Sequence, residues 1–393
     1  MMHRLAAWMR SAERPLYRAP AQTLALALAL AALGGFLRVR AADQLPVDWD
    51  EIIYLRVAYG YAQLMEAGNW GEIPAFRYNR EHPPAVKLIY ASQLAGRSRD
   101  PIGRPEVGAA VPEALRDEFR RARVFSAVAG ALQVGLVALV HPVAGLFVAV
   151  NSYHVRYTSE ALLDATAGTF AVLAVVAFGF AWGRSRHSDA PAPEPTLHSP
   201  YLALAAVALG LAVGSKYMYG LVGLVMWMFL VARARRVAPL LWFPALAALV
   251  LFAVDPALWH NPLAQASDAL SFHTGFAEQY GRPWWHPLAL AVHASHDDHQ
   301  AQYFYHLPDQ LLCAFAALGV VRTAKRRPLW FAWALAGVCF LLLWPTKWAH
   351  YQLLTTPALA MCAAFGVEVT AAWGLSFWRR ARSSPAAVDR LAE

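Results

Sequence analysis

Runs of 13 to 22 residues almost free of charge recur along the chain, separated by polar segments that hold most of the arginines. Runs of that length suit helices crossing a hydrocarbon core of about 30 Å. The pattern predicts an all-α, polytopic membrane protein of about ten spans. Span 1, Gln22–Leu37, follows Arg4, Arg10, Arg14 and Arg18, and its length favours an uncleaved anchor over a signal peptide. It leads into an outer loop, 38–83. Within that loop Ile52–Met65 is apolar except for a stripe of Arg56, Gly60 and Gln63 at helical spacing, which predicts a juxtamembrane helix lying in the interface.

Span 2 opens at Pro83-Pro84, because proline lacks the donor that a first turn leaves unpaired, and ends near Gly96. The segment 97–123, with seven arginines against five carboxylates, is then cytoplasmic. Span 3 is Val124–Val140. The following run, Pro142–Tyr153, has 12 residues, too few to cross as a helix, and reads as re-entrant or interfacial. Span 4 is Ala161–Trp182, and a Pro/Ser-rich linker follows over 185–200.

Spans 5 and 6, Tyr201–Gly214 and Tyr219–Ala232, form a hairpin with Gly214-Ser215-Lys216-Tyr217 at its tip. Span 7, Pro239–Val254, leads to a second outer loop, 255–307. Spans 8 to 10 are Pro308–Val321, Pro328–Trp344 and Gln352 to about Gly374. One transmembrane domain thus covers 21–375, between cytoplasmic segments 1–20 and 376–393.

Charge decides the orientation. The net charge of +8 is spread in short clusters after apolar runs, the positive-inside pattern, so it calls for no nucleic-acid partner. This arrangement puts 24 of the 34 Lys and Arg residues in the cytoplasm. The second outer loop has one basic residue, Arg282, five carboxylates and seven of the fourteen histidines. An Arg- and Ala-rich, lysine-poor composition points to a bacterial inner membrane with the outer loops facing the periplasm or exterior. Cys313, Cys339 and Cys362 sit inside apolar runs at spacings that suit neither zinc nor disulfides, and read as packing residues.

Candidate chemistry gathers on the outer side. Val47-Asp48-Trp49-Asp50-Glu51 precedes the interface helix: its carboxylates either cap that helix or supply a general base. His82-Pro83-Pro84 is a helix opening, or with Lys87 one turn on it binds a phosphate. Glu160 and Asp164 lie four apart on one helical face, about 6 Å from each other. They form a solvated helix start, or Asp164 is paired inside the span with Arg156 or Lys216. Three of the four lysines, Lys87, Lys216 and Lys347, fall at outer span ends, where they either snorkel or meet an anionic ligand. His293, His296 and His299 build a metal site if helical, with a divalent cation as the cofactor, and otherwise an unstructured loop tip. Trp284-Trp285 and Tyr303–Tyr305 read as interfacial aromatics or sugar-stacking platforms. No phosphate-binding glycine loop or Rossmann fingerprint occurs, which argues against a sugar-nucleotide donor.

Taken in order, the Asp50-Glu51 pair after span 1, His82-Pro83-Pro84-x-x-Lys87, Ser159-Glu160-Ala161-Leu162-Leu163-Asp164, Gly214-Ser215-Lys216-Tyr217 and Lys347-Trp348-x-His350-Tyr351 resemble the protein O-mannosyltransferase and lipid A aminoarabinose transferase families of GT-C glycosyltransferases. The resemblance covers roughly residues 20–375. It implies a polyprenyl-phosphate-linked monosaccharide donor, transfer on the outer face and inversion at the anomeric carbon. It assigns Asp50 to the catalytic centre with Glu51 beside it, and Asp164 to a second acidic position. It matches His82 and Lys87 to the second-span motif and Lys216 and Lys347 to basic residues that would face the lipid phosphate; Arg156, Glu160, His350 and Tyr351 are read as further candidate substrate-binding residues. The chain is shorter than either family and carries no luminal or periplasmic extra domain, so protein, lipid and glycan acceptors all remain open. A flippase or transporter of a lipid-linked anion, or a non-catalytic anchor subunit, is the competing reading. Internal repeats and mid-membrane charges would favour the transporter.

Overall fold

The computed structural model describes residues 21–96, 105–183, 200–233, 236–293 and 306–382. Its α-helices are α1 (Ala21–Ala42), α2 (Trp49–Glu66), α3 (Ala85–Leu94), α4 (Arg116–Val140), α5 (Pro142–Val150), α6 (Ser152–Tyr157), α7 (Asp164–Gly183) and α8 (Pro200–Ser215). They continue with α9 (Gly220–Arg233), α10 (Val237–Val254), α11 (Pro262–Tyr280), α12 (His286–Ala291), α13 (His306–Arg326), α14 (Pro328–Leu343) and α15 (Thr356–Arg382). Among the described residues there is no β-strand.

Six of these helices, α1, α4, α7, α10, α13 and α15, are long and apolar enough to cross a membrane, and α8, α9 and α14 are apolar but shorter. The chain is an integral, multi-pass membrane protein. Its buried apolar residues fall into two clusters. One runs through the bundle, from Ala27 on α1 to Phe365 on α15. The other is a cap over one end of the bundle, built by α2 and α3 on the first turns of α4, with Tyr153, Tyr157 and Leu162 beneath.

Two sequence expectations are revised, and their effects on direction cancel. The expected span 2 is α3, a ten-residue helix about 15 Å long that cannot cross. The chain therefore stays at the capped end: Val47 N–H donates to Ala109 O, Gly108 N–H to Val47 O, and Arg120 pairs with Asp43 at 3.0 Å. The described part of 97–123 lies beside the first loop, not across the membrane from it. Its arginines bind backbone and carboxylate there, a use of positive charge that a count of clusters does not distinguish from topology.

The second revision concerns Pro142–Tyr153. Helices α5 and α6 return antiparallel along α4, with Gly145 packed on Ala138 and His154 on Gln133. The path is broken at Asn151, whose side chain caps α6 by accepting from His154 N–H. The carbonyls at the end of α5 are satisfied from outside. Arg38 on α1, fully buried, donates from Nη2 to Val148 O and to His154 Nδ1, from Nη1 to Gly34 O and from Nε to Thr158 Oγ1. A buried guanidinium thus sits where a helix C-terminus is negative. That contact makes Nδ1 of His154 an acceptor. Its Nε2–H then faces Gln133 Oε1 at 3.1 Å, and Gln133 Nε2 donates to Ala165 O, fixing the first turn of α7.

Close helix approach needs glycine at one place above all. A Cβ on Gly319 of α13 would strike the Cys362 carbonyl of α15, and one on Gly366 would strike that of Phe315. At the opposite end from the cap, Glu368 of α15 takes His141 Nε2 at 3.2 Å and Arg322 Nη2 at 2.9 Å.

The cap is fastened by one ion pair. Arg123 on α4 and Glu51 on α2 are both buried, with Arg123 Nε 2.8 Å from Oε1 and Nη2 2.6 Å from Oε2. Arg123 also donates to the carbonyls of Ala42, Leu45 and Pro46. Breaking such a pair by neutralising one partner leaves a buried charge and costs roughly 3–5 kcal/mol. Glu51→Gln should lower the thermal unfolding temperature in detergent, and the double variant Glu51→Gln/Arg123→Met should recover much of the loss. Equal instability of the single and double variants would show that the pair is not the fastening.

Candidate functional site

Helix α2 starts with a capping box. Asp48 Oδ1 accepts from Asp50 N–H at 2.9 Å, and Glu51 Oε2 accepts from Asp48 N–H at 3.1 Å. Glu51 Oε1 further takes Ala161 N–H at 2.7 Å. With Arg123 these contacts occupy both oxygens of Glu51 and leave it no free lone pair. Asp50, one residue earlier, is half-buried. Burial, then the Asp48 carboxylate beside it, push the Asp50 carboxyl up to about 7, while the Lys216 ammonium pulls the other way. Asp164 also acts on it electrostatically, so Asp50, Asp164 and Lys216 share one neighbourhood.

Lys216 stands at the break between α8 and the 3-10 turn Tyr217–Tyr219, with its backbone extended at φ −157°. Its Nζ lies 2.6 Å from Asp164 Oδ2 and 5.3 Å from the centre of the Tyr351 ring. Both partners are buried, and Asp164 Oδ1 has no hydrogen-bond partner in the structure. The ammonium therefore has donors to spare, and it opens into a cavity of about 510 Å³. His82, His273 and Lys216 supply that cavity's polar wall, while Leu251, Leu258, Phe340 and Trp344 are among its apolar ones.

His82 lies edge-on to Tyr54 at 5.9 Å and to His273 at 5.2 Å. Burial, helped by the nearby Lys216 charge, holds the imidazoles of His82 and His350 well below their ordinary value, so both are neutral. His350 packs against Tyr157 and Tyr351. Arg156 Nε meets Glu160 Oε1 at 3.0 Å and the guanidinium lies 5.2 Å over the Tyr157 ring. Glu160 Oε2 is buried without a hydrogen bond, and burial raises its carboxyl well above the usual range.

Other residues singled out in the sequence are engaged elsewhere. Lys87 Nζ donates to Asn79 O, Asn79 Oδ1 and His82 O, which uses all three protons to clamp the turn that presents His82. Burial brings this ammonium down to about 7. Lys347 Nζ donates to the carbonyls of Leu341, Leu342 and Trp344, capping the end of α14, so the structure does not bring it to Asp50. His293 Nε2 contacts Asp309 Oδ2 at 2.6 Å and its ring stacks on Tyr153 and His306. Asp309 is further occupied by Asn151 and Ser152. His296 and His299 lie outside the described residues, and among the described residues no group of three or more His, Cys, Asp or Glu is placed to hold a metal ion.

Sequence reasoning missed α11 and His273. The signal was present: Asn261 caps the helix by accepting from Ala264 N–H, Pro262 follows at the first position, and Pro262, Ala266, Ala269 and His273 recur at helical spacing on the cavity side. Helix α11 is tied to the first loop by an Arg80–Asp268 ion pair and by Gln265 Nε2 donating to Arg80 O at 2.5 Å.

No protein-family model and no curated protein matches the sequence. Solved membrane enzymes do match the structure. ArnT from Cupriavidus metallidurans bound to undecaprenyl phosphate superposes with a TM-score of 0.58 at 16% identity, covering 86% of this chain and 59% of that one. An Archaeoglobus fulgidus oligosaccharyltransferase tethered to an acceptor peptide gives 0.51 at 15% identity, covering 88% and 49%.

The fold is the one that ArnT and the oligosaccharyltransferase share.

The chain thus spans about three fifths of the length of ArnT and half that of the oligosaccharyltransferase. Within this fold Asp50, Asp164 and Lys216 come from the first loop, the start of α7 and the end of α8, and all lie near one another at the capped end of the bundle.

The raised value of Asp50 has a consequence for stability. An unfolded aspartate ionises near 3.8 whereas the folded one keeps its proton to about 7, so the native state loses stability as pH rises through that window. Asp50→Asn should gain stability relative to wild type as pH increases from about 4 to about 7, read by thermal unfolding in detergent. Parallel curves for the two proteins would mean that Asp50 titrates as it does in water.

Proposed function

We propose that the chain is an integral membrane glycosyltransferase that moves a monosaccharide from a polyprenyl phosphate to an acceptor hydroxyl on the non-cytoplasmic face, in a bacterial inner membrane. The observation that carries this reading is the Lys216 ammonium, braced by Asp164, at the polar wall of an otherwise apolar cavity beside the half-open Asp50. A lipid phosphate needs this combination: a positive charge for the head and an apolar wall for the hydrocarbon attached to it. The likeness to ArnT, which was solved with undecaprenyl phosphate, supports the choice of donor.

In the reaction the acceptor hydroxyl gives its proton to the Asp50 carboxylate as its oxygen attacks the anomeric carbon. The bond from that carbon to the phosphate oxygen breaks, and polyprenyl phosphate leaves with the electron pair. One displacement inverts the anomeric centre. The leaving oxygen's charge is offset by the Lys216 ammonium, which is held by its ion pair with Asp164. The neutral His82 adds a hydrogen-bonding group on the same wall without adding charge. With Asp50 near 7, a working base is half-ionised around neutrality, where proton transfer is most effective. Arg156 and Glu160 form a second polar pair near Asp48, suited to sugar hydroxyls.

Purified protein in proteoliposomes, offered defined polyprenyl-phosphate sugars and a hydroxyl acceptor, should release free polyprenyl phosphate. Asp50→Asn should slow release by about 100- to 10,000-fold while the protein stays folded. The wild-type rate should fall on the acid side with a midpoint near pH 7. A fully active Asp50→Asn protein, or lipid movement across the vesicle without release of polyprenyl phosphate, would overturn the assignment, the second outcome in favour of a flippase.

A further inference from the structure

Asp255 is a buried carboxylate that the chemistry above does not use. It follows Val254, the last residue of α10, where a helix end is already negative, so a further negative charge there needs a reason. Its own N–H closes the helix on Leu251 O at 3.0 Å. Its two oxygens are divided between neighbours. Oδ1 accepts from Ala257 N–H at 3.2 Å and starts the 3-10 turn Pro256–Leu258, and Oδ2 accepts the Tyr217 hydroxyl at 2.7 Å. Lys87 acts on it as a charge at longer range.

Tyr217 is the residue after Lys216 and lines the same cavity. Lys216 is extended between the end of α8 and the turn Tyr217–Tyr219, so a tether on Tyr217 acts one residue from the ammonium's own backbone. The Tyr217 hydroxyl also has the Gln265 side chain of α11 within hydrogen-bonding reach. Gln265 Nε2 in turn donates to Arg80 O at 2.5 Å, two residues before His82. His273 stands on α11 eight residues beyond Gln265, just over two turns. Lys216, His82 and His273, the polar wall of the cavity, therefore hang from three chain segments that meet at Tyr217.

We propose that the hydrogen bond from Tyr217 to Asp255 is a latch that sets where the Lys216 ammonium stands, which makes Tyr217 and Asp255 positioning residues for the transfer. The proposal rests on the functional reading above and adds what holds its cation in place. Asp164 fixes the ammonium from one side, and the latch fixes the backbone that carries it from the other. A charge displaced by about 1 Å from the leaving oxygen loses on the order of 100-fold in rate. The apolar walls of the cavity are independent of the latch, so donor binding changes less than the chemical step.

The experiment compares Tyr217→Phe, Asp255→Val and Asp255→Asn with wild type. In proteoliposomes Tyr217→Phe and Asp255→Val should each lower kcat about 10- to 100-fold while KM moves less than about three-fold. Asp255→Asn keeps an oxygen for Ala257 N–H and a polar group for Tyr217, and should stay within about three-fold of the wild-type rate. A second readout needs no substrate. The pH at which the stability gain of Asp50→Asn levels off marks the folded midpoint of Asp50. Lys216 lowers that midpoint, so opening the latch should raise it by roughly half a unit in the Tyr217→Phe and Asp255→Val backgrounds and leave it in place in Asp255→Asn. A fall in kcat with an unmoved midpoint, or Asp255→Asn as damaging as Asp255→Val, would overturn the latch. So would a loss confined to Tyr217→Phe, which would mean that the hydroxyl meets the substrate itself. A midpoint that moves as expected in a protein that transfers no sugar would support the latch and overturn the glycosyltransferase reading instead.

Discussion

Glu51 and Arg123 form the contact on which the capped end of the molecule depends. A carboxylate and a guanidinium, both withdrawn from water, are tolerable only because every lone pair and proton finds a partner. Those partners belong to the loop 42–46, the start of α2, the first turns of α4 and the peptide of Ala161. One pair thus brings together four segments that are far apart in the chain. The consequence is local: with Glu51 held, the next carboxylate back along α2, Asp50, stays within electrostatic reach of Lys216 and Asp164.

The same low-polarity surroundings that make the fastening tight govern the ionisation of Asp50. Asp50 is raised because its charge is poorly solvated and faces other carboxylates, and it is kept from rising further by Lys216. Lys216 in turn has a dedicated counter-ion in Asp164, whose helix turn is held from behind by the run Arg38, His154, Gln133 and Ala165 O. That run begins with a buried cation that has no carboxylate of its own among the contacts described. Its positive charge is met by the carbonyls at the end of α5, which satisfies a broken helix inside a membrane.

How far the site was legible in the sequence differs by residue. Asp50, Asp164 and Lys216 were visible because charged residues beside apolar runs are costly and invite a function. Glu51, Lys87 and Lys347 carried the same signal, yet their charges are absorbed by Arg123, by the turn at Asn79 and by the end of α14. Nothing in spacing distinguishes a lysine that caps a helix from one that meets a ligand. His273 escaped notice among the many histidines of its loop, although the helix that carries it has a cap, a proline at the first turn and a helical stripe.

By itself the sequence determined that the chain crosses a membrane repeatedly as helices and that few ionisable residues stand beside its apolar runs. Both follow from the cost of exposing charge and unpaired backbone to hydrocarbon, which is incurred residue by residue and so is written locally. Only the tertiary structure decided that the second apolar run lies on the cap and that Pro142–Tyr157 doubles back along α4. It also decided which of the conspicuous charges face the cavity. Those choices depend on who neighbours whom across a hundred residues of chain, as Arg38 on Thr158 and Glu51 on Ala161 illustrate, and local pattern does not encode such partners.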